Sequence, residues 1–397
     1  MSAPSIPNLL SLRGTGRGRG RGRGGGTPGG TSAATGSSHD STIQGTDTDA
    51  ALSRLSAVEL GYLSDPFATL FTGGQPNQPH SALPPPRRLP IINRGTYTRT
   101  TGIDLLVDSF LSSTDASRTR QILSLGAGTD TRAFRLFSSP SSHTNISYHE
   151  IDFPSIIARK QHIIQTSPST LSSFLYQKPN PSNPLNSPPH PTSSSFSFAF
   201  ESDGPSRNNN NTLHLHPLDL RSFPECPLSR FDSLSSAHPT LIISECCLCY
   251  LAPATTTRIL EHLGRLFPQS AMVIYEPILP HDPFGKMMVS NLAARGIVMP
   301  TLTEYPTQQS QEERLRAEGG FTEVRSKTID RVWEDWVSPG EKERIDGLEG
   351  GLDEVEEWKL LAGHYLIAWG WRGSGMGKGL DIDVSRGDEG GDGDDTE

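Results

Sequence analysis

The sequence has few cysteines and no long apolar run. Four cysteines occur in 397 residues, and none belongs to a C-x-x-C pair that a second pair or a histidine matches at metal-ligand spacing. The sequence therefore predicts no metal site and favours a reducing compartment. No apolar stretch approaches the length that crosses a bilayer, and the N-terminus lacks the apolar core of a signal peptide. We expect a cytoplasmic protein without a membrane segment.

Apolar residues are also scarce in three segments. Residues 1–45 are dominated by Gly, Ser, Thr and Arg and include an arginine-glycine repeat, Arg17–Gly26. Residues 373–397 are rich in Gly, Asp and Glu, and residues 178–212 are rich in Pro, Ser and Asn. Segments with so few apolar residues do not offset the entropy that ordering costs. We expect a disordered arm, a disordered acidic tail and a loop insertion, with a single domain over residues 46–372.

The charge balance of the chain is acidic. It has 35 Lys and Arg residues against 44 Asp and Glu residues, which gives a formal net charge of −9. This balance argues against a protein whose main ligand is nucleic acid, because such proteins present a basic surface. The arginine-glycine repeat is a local exception, so RNA contact by this arm stays open as the less favoured alternative.

Strand and helix patterns alternate through the middle of the chain. The predicted strands are Gln121–Leu125, Ser147–Ile151, Thr212–Pro217, Thr240–Cys249 and Ala271–Tyr275. The predicted helices between and after them are Phe153–Gln165, Ala254–Phe267 and Pro283–Arg295. This alternation predicts an α/β fold with a doubly wound, mostly parallel, Rossmann-like sheet.

Further helices are predicted on both sides of this region. Thr48–Thr72 has helical spacing that a turn at Asp65 interrupts, and another helix runs through Leu111. Ser338–Glu341 has capping-box spacing with proline at the first helical position, so a helix is expected from there to about Leu361.

The end of the domain predicts two more strands. Glu323–Ile329 alternates polar and apolar residues, and His364–Trp371 is rich in residues that favour strands. We expect these segments to form an antiparallel pair at one edge of the sheet.

The first predicted strand ends in a glycine turn. Gln121–Leu125 runs directly into Gly126 and Gly128, as the first strand of a nucleotide-binding sheet does. The dinucleotide fingerprint would place a third glycine at Thr131 to leave room for a pyrophosphate, and this glycine is absent. A nucleoside cofactor without phosphate, of which S-adenosylmethionine (SAM) is the common example, fits this turn better. A glycine turn that binds nothing is the alternative.

Polar residues at other strand ends extend this prediction, because ligands bind at the carboxyl ends of the strands in such sheets. Asp152 lies roughly twenty residues past the glycines, where a carboxylate holds a ribose diol. Asp219 is expected to accept from an adenine amino group, with Leu220 against the ring. Glu245 and Arg99 are expected to hold the ammonium and carboxylate of a methionyl group. An N-cap of the next helix is the alternative for each aspartate.

Several motifs, taken together and in this order, resemble the leucine carboxyl methyltransferases. They are R-G-T-Y-T-R (94–99), L-S-L-G-A-G-T-D-T-R (123–132), Y-H-E-I-D-F-P (148–154), L-D-L-R (218–221), S-E-C-C-L-C-Y-L (244–251), F-G-K-M-M-V-S-N-L (284–292) and S-Q-E-E-R-L (310–315). The resemblance covers about Ala50 to Trp371. It implies a SAM-dependent methyltransferase sheet and an enzyme that esterifies the C-terminal leucine of the catalytic subunit of protein phosphatase 2A.

The resemblance also implies a set of cofactor contacts. They are Arg54, Arg99, Gly126, Asp152, Asp219, Leu220 and Glu245. All but Arg54 are residues that the pattern of strand ends and charges indicates independently. For Arg54, on an early helix, a surface charge is the alternative.

The implied reaction needs no general base. A free α-carboxylate has a pKa of about 3.3 to 3.7, so it is ionised and nucleophilic at neutral pH. Catalysis then consists of aligning the carboxylate, the methyl group and the sulfur while water is excluded. Tyr250, at a strand end, and Arg94, in the segment expected to cover the cofactor, are our candidates for orienting the substrate carboxylate. The alternatives are a core aromatic for Tyr250 and an ion pair with a buried acid for Arg94.

Other functions remain as alternatives at this stage. The first is a SAM-dependent methyltransferase that acts on RNA or on a small molecule, and the second is a phosphatase-binding module without activity. We expect a monomer. Cys246, Cys247 and Cys249 are expected to pack in the core and to have no redox role.

Overall fold

A mixed β-sheet runs through the centre of the molecule. The computed structural model describes residues 33–72, 87–138, 143–167, 171, 175–177, 195–200, 210–376 and 379–382. The strands in this part of the chain are β1 (Arg120–Leu125), β2 (Ile146–Asp152), β3 (Leu175–Gln177), β4 (Phe196–Phe200), β5 (Thr212–Pro217), β6 (Thr240–Glu245), β7 (Ser270–Pro277), β8 (Glu323–Thr328) and β9 (Tyr365–Arg372). Their order in the sheet is β3-β4-β5-β2-β1-β6-β7-β9-β8.

The five central strands are parallel and confirm the predicted doubly wound sheet. β5, β2, β1, β6 and β7 pair in parallel, and β1, β2 and β7 are buried along their whole length. Strands that are covered on both faces need apolar side chains on both, which explains the nearly continuous apolar runs in the sequence. β1 and β6 are neighbours in the sheet, and the strand order reverses between them. The ligand crevice is therefore expected at this point.

The predicted antiparallel edge is also confirmed. β9 pairs antiparallel with β7, and β8 pairs antiparallel with β9. Both strands lie within a residue of the predicted bounds.

Helices cover the sheet. They are α1 (Ala33–Glu59), α2 (Pro90–Ser113), α3 (Arg132–Ser138), α4 (Pro154–Thr166), α5 (Pro253–Leu266), α6 (Pro283–Ala293), α7 (Pro300–Glu304), α8 (Gln308–Ala317), α9 (Ile329–Trp336), α10 (Pro339–Asp346) and α11 (Val355–Gly363). Many of them begin at a proline, whose fixed φ suits the first helical position and whose missing N–H is not needed there. Among the described helices, none has both the length and the apolar character required to cross a bilayer.

The N-terminal boundary differs from the prediction. The arm was expected to continue to residue 45 and the helix to run over Thr48–Thr72, but α1 begins at Ala33 and ends at Glu59. Asp40 on α1 forms an ion pair of 2.7 Å with Arg221, so this polar half of the helix is held by charges on a distant segment. Composition alone does not reveal such partners. The arginine-glycine repeat lies outside the described residues.

The predicted insertion contributes a strand to the sheet. β4 lies within residues 178–212 and pairs antiparallel with β5, with Phe196 opposite Leu215. Phe198 of this strand is buried in the main apolar cluster. The expectation of a loop was therefore wrong for β4, because alternate apolar side chains reach the core although the surrounding composition is polar. Residues 178–194 and 201–209 lie outside the described part.

The acidic tail begins later than predicted. Met376, Leu380 and Ile382 are buried in the main apolar cluster. The indole N–H of Trp369 donates a hydrogen bond of 2.8 Å to the carbonyl oxygen of Leu380. Three apolar residues among glycines and acids are thus enough to fix this segment on the core. Residues 383–397 lie outside the described part.

The helix predicted from Ser338 to Leu361 is two helices. α10 ends at Asp346 and α11 starts at Val355. Between them Glu349 has φ 53° and Gly351 has φ 101°, and both values are incompatible with a right-handed helix. The glycines after α10 permit this break, which gives α11 a direction independent of α10.

The buried position of Leu380 leads to a stability prediction. We expect Leu380→Ala to lower the free energy of unfolding by about 2–5 kcal/mol, because the side chain is buried and its loss leaves a cavity. The matched control is Leu360→Ala, where the side chain is 50% exposed and a change within about 0.5 kcal/mol is expected. Urea unfolding of both variants measures the difference, and equal stability of the two would show that the tail segment does not pack as described.

Candidate cofactor and substrate site

A cavity of about 600 Å³ opens at the carboxyl ends of the parallel strands. Its walls come from the segments that follow β1, β2, β5 and β6, together with parts of α1, α2 and α11. This is the position at which the strand order reverses, where doubly wound sheets bind ligands.

The floor of the cavity is the predicted glycine turn. Gly126 has φ 62° and Gly128 has φ 53°, which L-residues rarely adopt. A Cβ atom at Gly126 would lie 2.4 Å from Sγ of Cys247, and one at Gly128 would lie 2.5 Å from Oδ1 of Asp47. Both backbone strain and lack of space therefore require glycine at these positions.

Asp152 ends β2 beside this turn. Its Oδ2 accepts a hydrogen bond of 2.7 Å from the N–H of Gly128, and its Oδ1 accepts one of 2.6 Å from the N–H of Phe153. Burial raises the pKa of Asp152 to about 6, although these two hydrogen bonds act in the opposite direction. Each oxygen keeps a second lone pair, so the carboxylate can accept from two hydroxyl groups of a ribose.

Asp219 and Leu220 line the cavity after β5, as expected. Oδ1 of Asp219 accepts a hydrogen bond of 2.9 Å from the N–H of Arg221, so the aspartate is also an N-cap. The guanidinium of Arg221 pairs with the same carboxylate at 2.5 Å. The adenine contact and the N-cap were considered as alternatives, and the geometry shows that the N-cap is present.

Glu245 and Arg99 both line the cavity and form an ion pair with each other. Nε of Arg99 lies 2.8 Å from Oε1 of Glu245, and Nη2 of Arg132 lies 3.3 Å from Oε2. Burial would lower the pKa of Arg99, but the carboxylate of Glu245 outweighs it and raises that pKa. A cofactor ammonium and carboxylate can enter this arrangement by pairing with Glu245 and Arg99, respectively. Arg132 was not predicted, although it closes the glycine motif in the sequence.

Arg54 lines the cavity from α1 and is buried, so it is not a surface charge. Its guanidinium lies 3.6 Å from Asp65 and 3.6 Å from Asp130. Burial lowers the pKa of Arg54. The side chain thus ties α1 to the acidic residues behind the glycine turn.

The N-terminal half of α1 forms an unpredicted wall of the cavity. Asp47 Oδ1 accepts hydrogen bonds of 2.7 Å from both the N–H and the hydroxyl of Thr129. Asp49 pairs with Arg295 at 2.5 Å, which joins α1 to the end of α6. No local sequence signal indicates these contacts, because their partners lie far along the chain.

Tyr250 lines the cavity, whereas Arg94 does not belong to the described residues that line it. Burial raises the pKa of Tyr250, so the phenol keeps its proton and can donate it to an acceptor. Arg94 lies on the other side of α2, where it pairs with Asp346 and covers the ring of Trp333 at 4.6 Å. The position of Arg94 outside the described lining gives no support to a role at the substrate carboxylate. An ion pair is present, as its alternative stated, but the partner Asp346 is exposed and not a buried acid.

Of the three cysteines after β6, Cys249 is buried in the core as expected, whereas Cys246 and Cys247 are half-buried and line the cavity. The strand ends at Glu245 and not at Cys249, because Cys246 has φ 48° and turns the chain. All four cysteines are free. Burial raises the pKa of Cys247 and of Cys249, so both are thiols at neutral pH and poor nucleophiles.

The second half of the cavity is apolar. Its lining includes Ile91, Leu292, Ile297, Met299, Trp358, Leu361 and Ala362. The cavity therefore combines a polar part that fits a nucleoside and an amino-acid group with an apolar part that fits a hydrocarbon side chain. Among the described residues, no group of three or more His, Cys, Asp or Glu side chains is arranged to hold a metal ion.

The raised pKa of Asp152 predicts how cofactor affinity depends on pH. Only the ionised carboxylate accepts from both ribose hydroxyls, and its protonated fraction grows as the pH falls through about 6. We expect the Kd for SAM to rise roughly tenfold per pH unit below this value. Asp152→Asn should bind SAM more weakly at pH 7 and should lose most of this dependence. Calorimetric titrations from pH 5 to 8 test this, and an unchanged pH dependence in the variant would contradict it.

Known proteins resemble this chain over most of its length. The family profile described as leucine carboxyl methyltransferase matches residues 42–264. A protein of Aspergillus fumigatus named leucine carboxyl methyltransferase 1 is 45% identical over 95% of this chain and 96% of its own. A protein of Emericella nidulans with the same name is 44% identical over 94% of this chain and 95% of its own.

Solved structures resemble the chain more distantly. The CurJ carbon methyltransferase is 14% identical, with a TM-score of 0.38 over 86% of this chain and 70% of that chain. This similarity is too weak to carry an argument about the site. The family profile and the close relatives suffice, and they confirm the resemblance that the motifs indicated: the chain belongs to the leucine carboxyl methyltransferase family of SAM-dependent methyltransferases.

Proposed function

We propose that this protein transfers the methyl group of SAM to the α-carboxylate of the C-terminal leucine of the catalytic subunit of protein phosphatase 2A. The observation that carries the proposal is the division of the cavity. Its polar half has the acceptors and charges for SAM, and its apolar half has the apolar character that suits a leucine side chain. Family membership supports the same reaction. We place the reaction in the cytoplasm and assign it to a monomer.

The cofactor half of the cavity orients the methyl donor. Asp152 accepts from the ribose hydroxyls, and the narrow turn at Gly126 lets the nucleoside approach the backbone. Glu245 pairs with the ammonium and Arg99 with the carboxylate of the methionyl group. Bound SAM supplies an activated methyl group on its sulfonium, so the protein does not have to activate the carbon.

The substrate half orients the acceptor. The leucine carboxylate arrives ionised, because its pKa lies several units below neutral pH. The hydroxyl of Tyr250 donates a hydrogen bond to one carboxylate oxygen and leaves the other free to attack the methyl carbon. Transfer of the methyl group from the sulfonium to a carboxylate oxygen would leave the C–S electron pair on sulfur, so no side chain would have to supply or accept a proton. Apolar side chains around the leucine exclude water from this alignment.

The substrate prediction is tested with three acceptors and labelled SAM. We expect label on purified phosphatase catalytic subunit and none on the same subunit lacking its terminal leucine, because only the first presents a leucine carboxylate to the apolar half. Total RNA is the third acceptor, and it should stay unlabelled. Equal label on both subunits would contradict the proposal, and label on RNA alone would favour the RNA alternative. Activity should be measured on the folded subunit, since the partner's body helps to bring its tail into the cavity.

The role of Tyr250 is tested by removal of its hydroxyl. Tyr250→Phe removes one hydrogen bond to a charged group. We therefore expect it to lower kcat/KM for the phosphatase roughly tenfold to hundredfold. The Kd for SAM should not change. Tyr97→Phe is the matched control, because Tyr97 donates its hydroxyl hydrogen to Glu341 at 3.0 Å on the opposite side of α2. Wild-type turnover by Tyr250→Phe would show that the phenol does not orient the substrate.

A further inference from the structure

Arg94 is a buried cation beside two neighbouring indole rings. Its guanidinium carbon lies 4.6 Å from the centre of the Trp333 ring and 5.7 Å from that of the Trp358 ring. The two rings are themselves in an edge-to-face arrangement at 6.3 Å. Asp346 at the end of α10 pairs with the same guanidinium. A cation close to two aromatic rings is attracted by both and restricts how each can turn.

One of these rings is a wall of the cavity. Trp358 on α11 is 3% exposed and lines the apolar half, whereas Trp333 does not belong to the described residues that line it. On the side toward α2, Trp358 also contacts the backbone of Gly95, where an added Cβ would lie 3.6 Å from its Cζ3. Trp358 therefore joins the Arg94 cluster on one side to the substrate half of the cavity on the other.

The position of α11 depends on such contacts. A segment with Glu349 and Gly351 in left-handed conformations precedes it, so α10 does not extend into α11. α11 packs on α9, β9 and α2. The Arg94 cluster includes side chains from α2, α9, α10 and α11, and it is thus well placed to fix the distance between α11 and α2 on either side of the cavity.

We propose that Arg94 is a positioning residue that acts through Trp358 and so determines the width of the pocket for the terminal side chain of the substrate. The inference rests on the proposed function for the identity of that side chain. Arg94 itself contacts neither substrate nor cofactor. Arg94 holds the indole of Trp358 in one orientation. The pocket bounded by this ring then accepts a branched aliphatic side chain in preference to a larger or smaller one.

The first test separates stacking from charge. Arg94→Lys keeps the charge but loses the broad, planar guanidinium that contacts the two indole rings. We expect KM for the phosphatase to rise roughly tenfold, with kcat within twofold and an unchanged Kd for SAM. Preference for a terminal leucine over phenylalanine or alanine should decrease in the same variant. The matched control is Arg87→Lys, an exposed arginine 3.8 Å from Glu349, which should behave as wild type.

A double-mutant cycle tests the path through Trp358. If Arg94 acts by holding this ring, Arg94→Lys should change KM less than twofold in a Trp358→Leu background. Additive effects of the two changes would overturn the inference. A fall in kcat with unchanged KM would also overturn it, because a group at the reacting atoms would produce that result.

A measurement without substrate separates this inference from the proposed function. Hydrogen exchange should show faster deuterium uptake over residues 355–363 in Arg94→Lys than in wild type, with no change over residues 253–266. Unchanged uptake over 355–363 would overturn the positioning role whatever the substrate is. If the wild-type protein transfers no methyl group, the proposed function is overturned. The hydrogen-exchange result would still test the positioning role of Arg94.

Discussion

The site depends on one buried guanidinium, that of Arg132. It is 2% exposed and pairs with Asp104 at 2.7 Å, with Asp130 at 2.5 Å and with Glu245 at 3.3 Å. These carboxylates belong to α2, to the glycine turn and to the end of β6, so one side chain joins the three segments that surround the cofactor half of the cavity. Removing one member of such a network leaves an unpaired buried charge, at a cost of about 3–5 kcal/mol. The charge pattern that we propose to recognise SAM is therefore the same pattern that holds these segments together.

This arrangement prepares the site before a ligand arrives. Arg132 pairs with Oε2 of Glu245 and leaves Oε1 directed toward Arg99, so the two side chains proposed to hold the methionyl group are already in place. For a reaction that needs no proton transfer, the alignment of donor and acceptor is the main contribution that a protein can make. A rigid cofactor half would also fix the position of the sulfonium. Conformational freedom would then remain in the substrate and in the apolar walls around it.

The sheet and its strand ends could be predicted from the sequence, and the N-terminal part of α1 could not. Gly126, Asp152 and Glu245 follow apolar strands, and the geometry of parallel sheets gathers such positions at one edge. The wall formed by α1 depends on ion pairs with partners far along the chain, such as Asp40 with Arg221. The polar composition of residues 33–45 favoured disorder, because such residues do not form an apolar core. The distant residues with which they pair cannot be identified from the neighbouring sequence. β4 was missed for a related reason, since its apolar residues lie in a polar insertion.

The two arginines of the R-G-T-Y-T-R motif show why secondary structure decides a site assignment. If this segment covered the cofactor, Arg99 would hold the cofactor carboxylate and Arg94 would orient the substrate carboxylate. In α2 they are five residues apart, and a rotation of about 100° per residue directs them roughly 140° apart around the helix axis. Arg99 faces Glu245 in the cavity, while Arg94 faces Trp333 and Trp358. The same helix thus presents one cation to the cofactor half and uses the other to support the wall of the substrate half.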